Sequence, residues 1–235
     1  MRKKGRRAVV SALLVASVVV AGCTSDIGAG SMSSSTTTTP TPTTATTATT
    51  ATTEAIGSPS ALVDTLAIRP GDATWPTYER DRFGGDWDYD PASGCNTRER
   101  VLIEESLTPP QVDDRCRSTD GRWRSLYDDV ETTDPADLQI DHFIPLADAW
   151  RSGAASWTDE RRRSLANDLT MPETLIGVTG RTNQSKGDST PDQWLPPDRT
   201  SWCRYATAWV QVKARWELSV TAAEKVTLVQ VLSGC

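Results

Sequence analysis

The stretch Gln139-Ile140-Asp141-His142-Phe143-Ile144-Pro145 contains the single histidine of a 235-residue chain, and an aspartate stands directly before it. An imidazole with an ordinary pKa exchanges a proton near neutral pH, and a neighbouring carboxylate can hold a divalent cation. If the protein performs acid-base chemistry, His142 is therefore the predicted base and Asp141 a predicted metal ligand. A lone histidine more often serves the core or the surface, so this interpretation depends on partners elsewhere.

The same stretch is predicted to be the end of a β-strand. Pro145 has no backbone N–H to donate, so strand pairing is expected to stop near it. Adjacent side chains of a strand point to opposite faces of the sheet. Asp141 and His142 can therefore address one metal–water cluster only where the strand ends or bends.

A second polar stretch, Gly180-Arg181-Thr182-Asn183-Gln184-Ser185-Lys186-Gly187-Asp188, follows the apolar run 174–179. The apolar run predicts a strand, and the polar stretch predicts a short helix. Asn183 offers a neutral oxygen ligand for a hard cation, and Lys186 lies three residues later on the same helical face, where it could meet a phosphate. The alternative is a solvated turn, because Asn, Ser, Gly and Asp are common turn residues.

These motifs resemble the HNH, or His-Me finger, nucleases when they are taken as a set: DHFIP at 141–145, NDL at 167–169, the apolar strand, TNQSKGD at 182–188 and PDQW at 191–194. The greatest similarity is to exported actinobacterial HNH proteins related to the C-terminal domain of GmrSD-type restriction enzymes. The resemblance also includes the stretch from Tyr78 to Leu102 and continues to Cys235. It implies an α+β fold with a His-Me finger (ββα-metal) core, additional helices and two disulfides.

The resemblance also implies a function, a metal-dependent endonuclease that hydrolyses phosphodiester bonds in DNA. His142 would be the general base that activates water. Asp141 and Asn183 would hold one divalent metal ion, for which Mg²⁺ is the expected identity, and Lys186 would contact a phosphate. The sequence does not decide between DNA and RNA as the substrate, or between nicking and double-strand cleavage.

One position departs from the family pattern. HNH nucleases usually carry a middle asparagine that supports the finger loop, and the expected place, just before Pro172, holds Met171. Asn167, from the end of the preceding helix, is one alternative support. Orientation of the histidine by a backbone carbonyl is another.

The charge of the chain bears on the nuclease hypothesis. The net charge is −6, and residues 1–22 hold five basic residues and no acid, so the remainder has 20 basic against 31 acidic residues, or −11. The acid excess lies in residues 54–140, with 9 basic and 19 acidic residues, whereas residues 141–215 hold 10 and 9. We expect weak, salt-sensitive and sequence-independent binding of nucleic acid.

The alternative function is a non-catalytic, envelope-associated binding protein that keeps the finger as a scaffold. The missing middle asparagine and the acidic total favour this alternative. The intact Asp141, His142, Asn183 and Lys186 favour the enzyme. We expect a monomer in either case.

Residues 1–22 are predicted to be a lipoprotein signal peptide. Basic residues in 2–7 precede an apolar run at 8–21 that is short for a membrane span. Val20-Ala21-Gly22-Cys23 looks like a bacterial lipobox, in which cleavage leaves Cys23 as a lipidated N-terminus. The alternative is an ordinary signal peptide with an incidental cysteine. The lipobox predicts an exported protein, anchored by its lipid at the outer face of the cell membrane.

A linker is predicted at residues 23–60, followed by one HNH endonuclease-like domain at 61–235. Between Ser33 and Thr53, thirteen of 21 residues are threonine, and nearly all the others are Ser, Ala or Pro. Such a composition has no apolar face to bury and favours an extended stalk. The domain is long enough to bury a single core.

Four cysteines remain when Cys23 is set aside: Cys95, Cys116, Cys203 and Cys235. An even number in an exported protein predicts two disulfides, and four cysteines permit three pairings. We favour Cys95 with Cys116 and Cys203 with Cys235, because each pair closes a loop within one local unit. A zinc site is less favoured, since the sequence has no CxxC pair.

The first residues of several helices can be predicted from the sequence. Asn96 with Glu99, and Thr221 with Glu224, have the spacing of capping boxes. A further helix is predicted from Thr158 to Asn167, and in the C-terminal third aromatic residues recur at helical spacing, which predicts a buried stripe. A strand of a small hairpin is predicted at 121–127.

Overall fold

The computed structural model describes residues 58–235, which form a mixed α+β fold, as predicted. This part of the chain contains seven α-helices: α1 Pro59–Thr65, α2 Thr97–Glu105, α3 Leu146–Arg151, α4 Asp159–Ala166, α5 Gly180–Lys186, α6 Trp202–Arg215 and α7 Ala222–Ser233. It also contains four antiparallel two-stranded sheets: β1 Tyr89–Asp90 with β2 Cys95–Asn96, β3 Gln111–Val112 with β4 Ser118–Asp120, β5 Trp123–Arg124 with β6 Glu131–Thr132, and β7 Leu138–His142 with β8 Leu175–Thr179.

The β7–β8 strand pair packs against α5. In β7–β8, Asp141 lies opposite Ile176 and His142 lies opposite Leu175. The strand ends there, and the backbone N–H of Phe143 donates to the carbonyl of Thr174 at 3.0 Å. Helix α5 begins at the residue after β8, so the predicted order of strand, strand and helix is confirmed.

The two faces of β7–β8 bury different sets of side chains. Residues directly opposite one another in an antiparallel pair share a face, so His142 lies on one face and Asp141 on the other. The His142 face packs against a small apolar cluster: Val101, Leu102, Trp123, Leu138, Ile140 and Leu175, with Trp87 at its edge. The Asp141 face packs into the main core, which includes Tyr127, Phe143, Ile176, Val178, Tyr205 and Trp209.

A buried group of charged side chains joins parts of the chain that are distant in sequence. The Lys213 ammonium lies 2.7 Å from Asp148 Oδ2 and 2.7 Å from Glu224 Oε1. Arg69 binds the other oxygen of Asp148 at 3.0 Å. Buried charges are costly unless each has a partner, and here each does. These ion pairs hold the segment that carries Arg69 together with α3, α6 and α7.

Both predicted disulfides are present. Cys95 pairs with Cys116, and Cys203 pairs with Cys235, with Cα atoms 5.1 and 5.7 Å apart. The first bond joins β2 to the turn between β3 and β4, and the second joins the start of α6 to the last residue. By constraining the unfolded chain, each is expected to contribute about 2–4 kcal/mol.

Most of the predicted local elements are confirmed. Asn96 and Thr221 are the N-caps of α2 and α7, and both capping boxes are formed. Thr158 caps α4, and the aromatic stripe of α6 is buried. The predicted strand at 121–127 is shorter than expected, because only Trp123 and Arg124 pair with a neighbouring strand.

The predicted signal peptide, Cys23 and nearly all of the predicted linker lie outside the described residues. The first described helix, α1, begins at Pro59 with Ser58 as its cap. The last two residues assigned to the linker therefore belong to the folded part. Within residues 58–235, no helix is both long and apolar enough to cross a membrane.

Candidate active site

Three of the predicted site residues meet at one opening of the fold. Asp141 and His142 end β7, and Asn183 lies on α5, and all three line a cavity of about 290 Å³. Asp141 and His142 come from opposite faces of the β7–β8 sheet. They reach the same cavity because β7 stops at His142, which is the condition expected from the strand geometry.

The imidazole of His142 is oriented by a backbone carbonyl. Its Nε2 atom lies 3.0 Å from the carbonyl oxygen of Ala166, the last residue of α4. A carbonyl oxygen only accepts hydrogen bonds, so Nε2 carries the proton in the neutral ring. Nδ1 then keeps its lone pair, and it has no hydrogen-bond partner among the described residues. Nδ1 is thus the nitrogen that can accept a proton.

His142 is deeply enclosed, with 8% of its surface exposed. The ring of Trp87 stacks on it with centroids 5.2 Å apart and planes within 14°. The pKa of His142 is lowered to about 3, chiefly by burial and then by the positive charges of Arg80 and Lys186, while the hydrogen bond to the Ala166 carbonyl opposes the shift. The imidazole is therefore neutral throughout the physiological range.

Asp141 is held by two donors on one of its oxygens. The Tyr127 hydroxyl donates to Oδ2 at 2.6 Å, and the Lys186 ammonium donates to the same atom at 2.7 Å. Within the described residues, no hydrogen bond reaches Oδ1. The carboxylate is thus fixed in orientation through one oxygen, and its other oxygen remains available as a ligand.

Lys186 was predicted to contact a phosphate, but it does not line the cavity. Its side chain is fully buried, and besides Asp141 its ammonium donates to the carbonyl of His142 at 3.1 Å. Burial lowers the pKa of this lysine, and the Asp141 charge opposes that effect. Helical spacing places Lys186 on the Asn183 face, but the face turns inward at its position. Lys186 fastens α5 to the end of β7.

Asn183 lines the cavity, and its side-chain oxygen receives no hydrogen bond within the described residues. Its side-chain N–H donates to Oε1 of Gln139 at 3.0 Å, which leaves Oδ1 with its lone pairs. Residues 58–235 contain no group of three or more His, Cys, Asp or Glu side chains placed to hold a metal ion. One carboxylate and one amide oxygen still fit Mg²⁺, which commonly keeps several waters and substrate oxygens among its ligands.

The loop between α4 and β8, which contains Met171, is held in place by other residues. Met171 is half-buried against the main core. Asp168 Oδ1 accepts from the backbone N–H of Thr170 at 2.9 Å, and Asp168 Oδ2 accepts from Thr174 Oγ1 at 3.3 Å and from Trp216 Nε1 at 3.2 Å. A carboxylate and a threonine thus tie this loop together.

Asn167 supports the site indirectly, through the segment that carries Trp87. Its Oδ1 accepts from the backbone N–H of Asp88 at 2.9 Å and from the hydroxyl of Thr97 at 2.8 Å. Asp88 follows Trp87, the residue that stacks on His142. Asn167 therefore fixes the segment that covers the imidazole, while its neighbour Ala166 orients the ring.

Arg80, Trp87, Tyr127 and Ala166 are site residues that sequence reasoning did not identify. Arg80 and Trp87 belong to the upstream stretch in the family resemblance, which was the only signal for them. Tyr127 and Ala166 carry no local signal, because their contacts are made across the core.

The chain is similar to a described protein family and to a secreted fungal protein. The family model described as "GmrSD restriction endonucleases, C-terminal domain" matches residues 102–231. A protein of Arthroderma benhamiae, described as "Uncharacterized secreted protein", is 46% identical over 176 residues, which cover 74% of this chain and 83% of the relative. No solved structure matches the chain significantly. The matched segment contains Asp141, His142 and Asn183 but not Arg80 or Trp87.

Proposed function

Because the chain belongs to the family of GmrSD restriction endonuclease C-terminal domains, we propose that it is a metal-dependent endonuclease that hydrolyses phosphodiester bonds in DNA. The observation that carries the proposal is the single cavity lined by Asp141, His142 and Asn183. The strand–strand–helix arrangement around it supports a His-Me finger core. The matched family is nuclease-related, which favours this chemistry over other uses of the same side chains.

In this proposal His142 is the general base. The Ala166 carbonyl keeps the proton on Nε2, so Nδ1 accepts the proton of the attacking water. A substrate phosphate beside the ring would raise the pKa of His142 by favouring the imidazolium. The base would thus become stronger when substrate is bound.

Asp141 and Asn183 would hold the divalent cation, expected to be Mg²⁺. When bound, such an ion stabilises negative charge on the phosphate and on the leaving oxygen. Tyr127 and Lys186 fix the orientation of the Asp141 carboxylate, and Gln139 fixes the orientation of the Asn183 amide.

We further propose that the protein acts outside the cytoplasm as a lipoprotein anchored through Cys23. The two disulfides and the secreted relative from Arthroderma benhamiae support export. The lipid anchor rests on the lipobox alone.

A non-catalytic binding protein is the second candidate. The low proton affinity of His142 and the small number of protein ligands in the cavity favour it. This candidate keeps the cavity and predicts binding of nucleic acid without turnover.

One experiment separates the two functions. Purified mature protein is incubated with supercoiled plasmid and with linear RNA, with Mg²⁺, Mn²⁺ or a chelator, beside His142→Ala prepared identically. The proposed function predicts metal-dependent cleavage by the wild type and a large loss in the variant. Folded wild-type protein that binds the nucleic acid and never cuts it supports the second candidate.

A further inference from the structure

Arg80 stands at the point where two cavities meet at His142. It lines the 290 Å³ cavity together with Asp141, His142 and Asn183. It also lines a second cavity of about 90 Å³, whose walls include Trp87. Among the described residues, Arg80 is the only cationic side chain that lines either cavity.

The guanidinium of Arg80 lies beside the hydroxyl of Tyr78 and has no carboxylate partner among the described residues, so its positive charge is not neutralised by an ion pair. The other arginines near this region have carboxylate partners: Arg82 binds Asp159 at 3.0 Å, Arg151 binds Asp188 at 3.0 Å, and Arg163 binds Asp88 at 2.7 Å. In residues 58–235, no carboxylate lies within 4.0 Å of Arg80.

The backbone that carries Arg80 is anchored. Arg80 opens a short 3-10 helix that ends at Phe83, and Phe83 is buried with its ring 6.1 Å from Tyr78 and 6.3 Å from Trp150. The buried Arg162 donates from Nε to the carbonyl of Arg82 at 3.1 Å. The guanidinium therefore extends from a fixed point.

We propose that Arg80 binds a non-bridging oxygen of the substrate phosphate beside His142, the role that Lys186 cannot fill. A guanidinium is planar and always charged, and it matches phosphate oxygens in a bidentate contact. The inference rests on the proposed nuclease function, and it extends the substrate site to a residue that precedes the family segment 102–231.

The test compares Arg80→Gln and Arg80→Lys with a matched control, Arg181→Gln. Arg181 lies on α5 two residues before Asn183, its side chain is 84% exposed, and it lines neither cavity. Arg80→Gln should lower kcat/KM on an oligonucleotide by about 10- to 100-fold, with partial recovery in Arg80→Lys. Arg181→Gln should stay within about twofold of the wild type, because exposed charges are screened. Equal losses in Arg80→Gln and Arg181→Gln would overturn the proposal.

A binding measurement separates this proposal from the nuclease proposal. A fluorescent single-stranded oligonucleotide is titrated with His142→Ala, with and without Arg80→Gln, in chelator over a range of salt. The double variant should bind more weakly, and the salt slope should fall by about one phosphate contact. If the wild type never cleaves but this difference remains, the nuclease function fails and the Arg80 contact stands. Identical affinities and slopes in the two variants reject the contact, whatever the wild type cleaves.

Discussion

The ammonium nitrogen of Lys186 lies 2.7 Å from Oδ2 of Asp141, and both side chains are buried. Lys186 also donates to the carbonyl of His142. One lysine thus orients the predicted metal ligand and fastens the strand end that carries the predicted base. The pair links the stability of α5 to the geometry of the site.

Replacing Lys186 should destabilise the folded protein, because the Asp141 charge is then buried without its partner. Lys186→Met should lower the free energy of unfolding by about 3–5 kcal/mol in urea titrations. Lys186→Met/Asp141→Asn should recover part of that loss, since the uncompensated charge is gone and the amide oxygen can still accept from Tyr127. The surface variant Arg181→Met should change stability by less than about 0.5 kcal/mol. A Lys186→Met protein as stable as wild type would contradict the buried role.

The proposed chemistry should depend on His142, since the chain has no other histidine. His142→Ala should lower nuclease turnover by about 10²–10⁴-fold while the fold and metal binding remain. Turnover is measured on plasmid at saturating Mg²⁺, and folding by circular dichroism. Full activity in the variant would place the base elsewhere.

The Asn183 side chain should act through the metal ion. Asn183→Ala should raise the Mg²⁺ concentration needed for half-maximal activity, and part of the activity should return at high Mg²⁺. Asn183 is a better test of metal binding than Asp141, because removing Asp141 also leaves the buried Lys186 without its partner. A loss of activity that no metal concentration restores would argue against a ligand role.

The single histidine allows its protonation to be followed directly by NMR. The pKa of His142 in the folded protein is about 3, below its ordinary value of 6.5. The unfolded chain therefore binds more protons between pH 6.5 and 3, and the stability from His142 is present above pH 6.5 and is lost as pH falls. The full loss is on the order of 5 kcal/mol. Trp87→Ala should raise the pKa by exposing the ring, and a wild-type value near 6.5 would contradict the enclosed site.

Glu105 should give the opposite pH dependence. It accepts from the Gly177 N–H at 2.6 Å, and burial raises its pKa from 4.5 to about 7. Its folded pKa exceeds the unfolded value, so the stability it contributes is present below pH 4.5 and is lost as pH rises through 7. Glu105→Gln keeps an acceptor for Gly177 and should stabilise the protein at pH 8 by roughly 2–3 kcal/mol, with no gain at pH 4. An equal effect at both pH values would rule out titration of Glu105.

Membrane attachment should depend on Cys23, which lies outside the described residues. Cys23→Ser should leave the precursor uncleaved or release the protein from the membrane fraction. Fractionation and metabolic labelling with a fatty acid measure this. Unchanged membrane attachment and no label in the wild type would indicate an ordinary signal peptide.

The elements that the sequence determined are those whose causes lie within a few residues. The capping boxes at Asn96 and Thr221 define helix starts, because a side chain three residues away satisfies the free N–H groups. The cysteine pairing followed from an even set closing two local loops. His142 was predicted to be the base because the chain has no other histidine.

The roles that only the tertiary structure decided come from contacts between distant residues. Ala166 reaches His142 across 24 positions, and Lys186 reaches Asp141 across 45. Helical spacing placed Lys186 beside Asn183, but it could not tell that the helix turns that position into the core. How the segments pack decides which carbonyl orients the imidazole, which cation is buried and which cation, like Arg80, lines the cavity. Charge and polarity alone do not specify the partner.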